Sequence, residues 1–210
     1  MTTNKRGAFI LFEGIDKCGK TTQSTLLVNA LNKANIPSEL IQFPNRKTPI
    51  GNLIDNYLTN KCTLHDRTIH LLFSANRWEL FTEMIDKLNN GITLVVDRYT
   101  FSGISYTTAK NNTLFEWCKQ PDIGLPQPDI VFLLDIPISK VALRSQYGTE
   151  RYEKNDFQQK VRNIFSHFID KKWVVLDANK SVIELHTAIY NKSLKIIAQI
   201  YNQHTQLVYI

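Results

Sequence analysis

The stretch AFILFEGIDKCGKTT (8–22) constrains the fold of this chain more than any other. Five apolar residues, Ala8 to Phe12, lead into a turn where Gly14 and Gly19 flank four other residues, and Lys20-Thr21 follows at once. A continuous apolar run of this kind reads as a strand buried on both faces. Beyond the turn, Leu26, Leu27, Ala30 and Leu31 recur at helical spacing up to about Lys33. Strand, glycine turn and helix in that order make an anion cradle. The glycines let backbone N–H groups approach closely, and the helix N-terminus adds partial positive charge. The spacing is that of a phosphate-binding loop (P-loop), in which Lys20 reaches the β/γ oxygens of a nucleotide and Thr21 offers its hydroxyl to Mg²⁺. Thr22 stands behind them at the helix start. Asp16, beside Lys17, is the anomaly: a carboxylate inside a cradle for anions.

The rest of the chain alternates in the same way. SELIQF (38–43), ITLVVD (92–97), DIVFLLD (129–135) and WVVLD (173–177) read as four more strands. Helical spacing spans 50–60, a single long stretch 65–90 that stops at Gly91, and then about 102–110, 137–146, 156–170 and 181–203. This order predicts an α/β protein: a three-layer P-loop NTPase fold whose five-stranded, mostly parallel sheet is flanked by helices. At 210 residues, with no repeat and no linker, one domain over 1–210 is expected. The polar segment SQYGTERYEKND (145–156), between two helices, is a candidate short lid.

Composition narrows the partners. The net charge is +6, yet no block of five basic residues marks a nucleic-acid arm. The balance fits a solvated basic surface or a cleft that gathers two phosphorylated ligands. No apolar run approaches the ~20 residues of a membrane span. Glu13 interrupts the N-terminal apolar stretch, which therefore reads as a strand and not a signal peptide. Three cysteines (Cys18, Cys62 and Cys118) with no C-x-x-C pair argue against a disulfide framework or zinc site. They fit an intracellular location, cytoplasmic or nuclear.

A P-loop specifies a ligand, not a reaction. VVDRY (95–99) puts Asp97 and Arg98 at the carboxyl end of a strand, where open α/β sheets bind ligands. Asp97 is suited to hold Mg²⁺ directly or through water, and Arg98 to touch both phosphoryl groups; the alternative is a surface ion pair. FPNR (43–46) and SANRWE (74–79) add Arg46 and Arg77, with Phe73 alongside as a face for a base. Trp78 reads as core packing. A guanine-reading switch would need N-K-x-D, and NKCT (60–63) lacks the Asp.

Taken together, FEGIDKCGKTTQ, FPNR, LLFSANRWE, GITLVVDRYTFSGISY, WCKQPDIGLPQPD and ERYEKNDFQ resemble the thymidylate kinases, closest to the eukaryotic and poxviral type. They run in order from residue 8 to about 160, and DANKS (177–181) follows. The resemblance implies transfer of the ATP γ-phosphoryl group to dTMP with Mg²⁺, giving dTDP for dTTP synthesis. The alternatives left open are a broader nucleoside-monophosphate kinase and a P-loop switch protein.

The resemblance also implies roles. Asp16 would accept the 3′-hydroxyl of dTMP, while Arg46 and Arg98 would bind its phosphate. Phe73 would stack on thymine and Arg77 would meet a thymine carbonyl. Tyr106 would crowd the sugar 2′ carbon, and Phe43, Pro44, Ser102, Gly103 and Tyr152 would line the pocket. On the ATP side stand Gly14, Lys17, Cys18, Gly19, Lys20, Thr21 and Thr22, with Arg144, Asn179, Lys180 and Ser181 near adenine. Lys20, Lys17, Arg98, Asp97 and the lid's Arg151 would carry catalysis, and Thr21 and Asp97 would hold the metal. Many cellular members carry Arg where this chain has Lys17, which leaves open how Lys17 and Arg151 divide the cation's work. Cys18 is either oxidation-sensitive or a tolerated small residue. A homodimer packed through long helices such as 65–90 is implied.

Overall fold

A computed structural model describes residues 6–110, 113–144, 147–203 and 210 of the chain. Its elements, in order, are β1 (Phe9–Glu13), α1 (Lys20–Lys33), β2 (Ser38–Gln42), α2 (Pro49–Leu58), α3 (Asp66–Trp78), α4 (Phe81–Asn89) and β3 (Thr93–Asp97). They continue with α5 (Thr100–Thr108), α6 (Phe115–Lys119), β4 (Ile130–Asp135), α7 (Ile138–Val141), α8 (Asn155–Phe165), β5 (Trp173–Asp177) and α9 (Val182–Gln203). The strands form one sheet in the order β2-β3-β1-β4-β5, and every pairing is parallel.

The apolar run of β1 now has its cause. It is the central strand, paired with β3 and β4, and all five of its residues are buried. Phe9, Phe12, Phe132, Leu27 and Leu31 pack there with essentially no exposure. Parallel register sets Phe12 beside Asp97, so the carboxyl ends of β1 and β3 open at one level. Chain leaving β1 therefore passes directly by the end of β3, and ligand sites of open α/β sheets lie at such an edge.

Three expectations need correction. The stretch 65–90 is two helices, α3 and α4, broken at Glu79–Leu80. No Gly or Pro marks the break. Polar tertiary contacts set it: Asn76 and Thr48 both donate to Glu79 Oε2 at 2.8 Å, and Asn76 also accepts from Asn45 N at 2.7 Å. The helix expected over 137–146 is only the four-residue α7, and α6 forms where no helix was expected. Residues 145 and 146, the start of the candidate lid, lie outside the described residues. Among described residues, no helix is long and apolar enough to cross a membrane.

The start of α2 shows how a local signal positions a distant cation. Thr48 caps the helix by accepting from Gly51 N at 2.9 Å, and Pro49 occupies the first helical position. Gly51 lies against the FPNR turn so closely that a Cβ there would be 1.8 Å from Asn45 O. Gly51→Ala should therefore displace the turn that carries Arg46, at ~2–4 kcal/mol. Thr48→Ala removes only a cap, about 1 kcal/mol. Denaturant unfolding of the two variants should show that order, and equal losses would mean the turn yields freely.

Candidate active site

The phosphate loop owes its shape to three left-handed residues. Gly14 has φ 141°, Lys17 φ 57° and Gly19 φ 108°. A side chain at Gly14 has no room, since its Cβ would be 2.6 Å from Leu134 O. Lys17 has no such licence, and non-glycine residues in this region cluster at functional sites. Lys20 is buried, and its ammonium donates to Ile15 O at 2.7 Å across the loop. Cys18 Sγ is buried, 3.5 Å from that ammonium.

At the same edge Thr21 Oγ1 donates to Asp97 Oδ2 at 2.6 Å. The other oxygen, Asp97 Oδ1, is buried with no hydrogen-bond partner among the described residues. These groups line a cleft of about 460 Å³ together with Asp16, Lys17, Gly19, Lys20, Thr22 and Arg98.

Next to this cleft lies a second cavity, lined by Phe43, Pro44, Arg46, Phe73, Arg77 and Tyr106, with Ser102, Gly103 and Tyr152. Asp16 and Arg98 border both spaces. Arg98, held at φ 68° just past β3, donates from Nη2 to Asp16 Oδ1. Its Nη1 reaches Gly14 O at 3.0 Å and Ser102 Oγ at 3.2 Å. Burial works against its charge, but Tyr106 and the carboxylates of Asp16, Asp97 and Glu13 outweigh that and raise its pKa. Asp16 is held from the other side by fully buried Gln158, which donates to Oδ2 at 2.6 Å and accepts from Asp16 N at 2.9 Å.

A match to the thymidylate kinase family model covers residues 12–189. The chain belongs to the thymidylate kinase family. It is 46% identical to the thymidylate kinase of Danio rerio over 197 residues (92% of this chain, 93% of that protein). It is also 46% identical to that of Homo sapiens over 188 residues (88% and 89%). A putative thymidylate kinase of Invertebrate iridescent virus 6 is 41% identical over 207 residues, covering 98% of this chain and 94% of the viral one. The solved structure of the Candida albicans thymidylate kinase superposes with a TM-score of 0.85 at 37% identity, covering 98% of each chain.

For this thymidylate kinase family member, the structure brings most sequence-singled residues to the two cavities; Gly14, Cys18, Arg151 and Asn179 to Ser181 line neither. Arg151 does not border the phosphate cleft. Its backbone N donates to Leu58 O at 2.9 Å, Nε to Tyr57 O at 2.7 Å and Nη2 to Cys62 O at 2.7 Å. Its guanidinium lies 4.1 Å from the Tyr57 ring centre, so it anchors the segment before α8 to the end of α2. Trp78, expected in the core, is 37% exposed and donates to Pro121 O at 2.8 Å. Arg144 reaches Lys17 O at 2.6 Å and Ala178 O at 3.1 Å. Asn179, Lys180 and Ser181 are exposed, and Ser181 Oγ pairs with Glu184 as a capping box for α9.

Five acidic or amide residues inside the quoted motifs were given no place in the site: Glu13, Asp122, Glu150, Glu153 and Gln158. Three sit on cations, Asp122 on Arg77 among them. Glu150 accepts from Arg46 at 2.8 Å, and Glu153 lies 3.6 Å from Lys17. Glu153 Oε2 also gathers the backbone N–H groups of Gly148, Thr149 and Glu150 at 2.8–3.1 Å, which shapes the lid turn.

Glu13 is fully buried and caps the start of α5, accepting from Tyr99 N at 3.0 Å, Ser102 N at 3.1 Å and Ser102 Oγ at 2.5 Å. Burial raises its pKa above the ordinary 4.5, against the pull of Ser102 and Arg98. The fold therefore holds this proton more tightly than the unfolded chain, so the contribution of Glu13 to stability is greatest below pH 4.5 and declines as pH rises above it. Glu13→Gln has no such proton to lose. The stability of the native protein relative to Glu13→Gln should fall as pH rises from 4 toward neutrality, by up to ~1.4 kcal/mol per unit. Parallel urea-unfolding curves for the two proteins would contradict this.

Proposed function

We propose that the chain, acting as one kinase domain, transfers the γ-phosphoryl group of ATP to the phosphate of dTMP, giving dTDP. The observation that carries this reading is the pairing of spaces: a phosphate cleft and a mostly apolar acceptor cavity that share Asp16 and Arg98. A P-loop switch protein has no use for the second cavity. Phe73 stacks on the base, Arg77 faces a base carbonyl, and Asp16 accepts the 3′-hydroxyl. Tyr106 disfavours a 2′-hydroxyl.

The acceptor is a phosphate oxygen that is already anionic, so no strong general base is required. Catalysis rests on alignment and on neutralising charge in the transition state. Lys20, Lys17 and Arg98 supply that field from the loop and the end of β3. Thr21 and Asp97 fit a Mg²⁺ site, because Asp97 takes the Thr21 hydroxyl on Oδ2 and keeps a buried Oδ1 without a partner among the described residues. Such an ion keeps several waters and takes few protein ligands, in accord with one carboxylate and one hydroxyl. When bound, Mg²⁺ supplies charge neutralisation at the β- and γ-phosphates.

The acceptor cavity is about 90 Å³, well below the ~300–1,000 Å³ of ligand pockets. Glu150 and Tyr152 help line it from the lid side. Substrate entry accordingly exchanges Glu150 for a phosphate on Arg46. Partly exposed ion pairs are worth only ~0–1 kcal/mol, so a dianionic phosphate outcompetes the carboxylate. Leu53 and Leu71, about half exposed on α2 and α3, offer an apolar face for a homodimer.

The test is a coupled assay with ATP, Mg²⁺ and a panel of dTMP, dUMP, dCMP and AMP. dTMP should give the highest kcat/KM; turnover of AMP or dCMP without dTMP would overturn the reading. Asp97→Asn should lower kcat by about 10²–10³ while leaving equilibrium dTMP binding unchanged. Equal loss of both would make Asp97 structural.

A further inference from the structure

Arg77 is only 2% exposed, and a guanidinium stays charged in proteins, so its burial demands a partner. That partner is Asp122, which is 1% exposed and 45 residues away in sequence. Arg77 Nη2 donates to Asp122 Oδ2 at 2.6 Å and Oδ1 at 2.9 Å, and Nε donates to Oδ1 at 3.1 Å. One whole edge of the planar fork is consumed. Nη1 makes no hydrogen bond to a described residue, and Arg77 lines the acceptor cavity beside Phe73 and Gly103.

The carboxylate is itself fixed by α3. Ser74 Oγ donates to Asp122 Oδ1 at 2.7 Å and Pro121 O at 3.0 Å, and Trp78 Nε1 donates to Pro121 O at 2.8 Å. Ser74, Arg77 and Trp78 follow at i, i+3 and i+4, so one helix face grips the Pro121–Asp122 turn. Opposite, Gly103 leaves the guanidinium its room: a Cβ there would be 2.9 Å from Nη2 and 3.1 Å from Nη1. The fork can neither rotate nor retreat.

We infer that Asp122 is a specificity-determining positioning residue. It neutralises Arg77 and turns its remaining Nη1 group toward the base, so that the cavity accepts pyrimidines with a carbonyl at that edge and rejects those with an amino group. The inference rests on the proposed dTMP kinase reading and deepens it. A free arginine would compete for the substrate phosphate, which an unneutralised guanidinium binds in a bidentate manner. Paired with Asp122, Arg77 presents no net charge, and the phosphate goes to Arg46 and Arg98. An amino group of cytosine would set donor against donor.

The experiment compares native protein, Asp122→Asn, Arg77→Gln and the double variant on dTMP and dCMP, with KM for ATP as control. Asp122→Asn should lower kcat/KM for dTMP about 10- to 100-fold, mainly through KM, as expected for a lost hydrogen bond to a charged group. The dTMP/dCMP preference should shrink by a similar factor, with KM for ATP within about twofold. A merely structural Asp122 would lower both substrates equally, and that result overturns the inference. If Asp122→Asn fails to fold around an unpaired Arg77, the double variant removes both charges together. It should match Arg77→Gln within about twofold on dTMP, since a residue acting only through Arg77 adds nothing once Arg77 is gone; further loss overturns the inference. Native protein that turns over dTMP while Asp122→Asn keeps its preference sinks the Asp122 assignment alone. Native protein without dTMP turnover sinks the kinase reading and the assignment together.

Discussion

The contact between Arg98 and Asp16 is the one on which the site depends. It ties the last residue region of β3 to the turn leaving β1, and parallel register makes it possible by setting Phe12 beside Asp97. Both sides of the contact involve unfavourable backbone, with Arg98 at φ 68° and Lys17, next to Asp16, at φ 57°. Such conformations persist only where surroundings over-determine them. Here Gln158 grips Asp16 from α8, while Gly14 O and Ser102 Oγ take the other face of Arg98. The carboxylate that looks misplaced in a phosphate loop is thus the loop's link to a neighbouring cavity.

The same economy governs the segment 147–154 that follows α7. Its acids lie on cations that phosphates need: Glu150 on Arg46 and Glu153 near Lys17. Its arginine, Arg151, is spent on the carbonyls at the end of α2. The segment is tied down by ion pairs at its acidic residues and by backbone carbonyls at Arg151. Of the two cations, Lys17 lines the phosphate cleft and Arg151 does not.

Much of this was legible in the sequence because it is local. The phosphate loop is a continuous segment, β1 must be apolar to sit between β3 and β4, and Gly91 marks the end of α4 at φ 81°. What escaped notice depends on partners far along the chain. The break between α3 and α4 is set by Asn76, Thr48 and Glu79, not by a glycine or proline. Gln158 meets Asp16 across 142 residues, and Asp122 meets Arg77 across 45. Trp78 has the helical spacing of a core residue, yet its indole N–H serves the Pro121 turn. Glu13 had a visible signal, an acid closing an apolar strand, which reads as an interruption until α5 is found above it.

The claim that one loop serves two substrates can be tested by removing the two partners of a single hydrogen bond. The measurement is kcat/KM for dTMP and for its 3′-deoxy analogue, on native protein and on Asp16→Ala, with KM for ATP alongside. The native protein should prefer dTMP by about tenfold or more, the worth of a hydrogen bond to a charged group. In Asp16→Ala that preference should vanish while KM for ATP stays within about twofold. A preference that survives the loss of the carboxylate would contradict the account, because Asp16 would then shape the loop without touching the sugar.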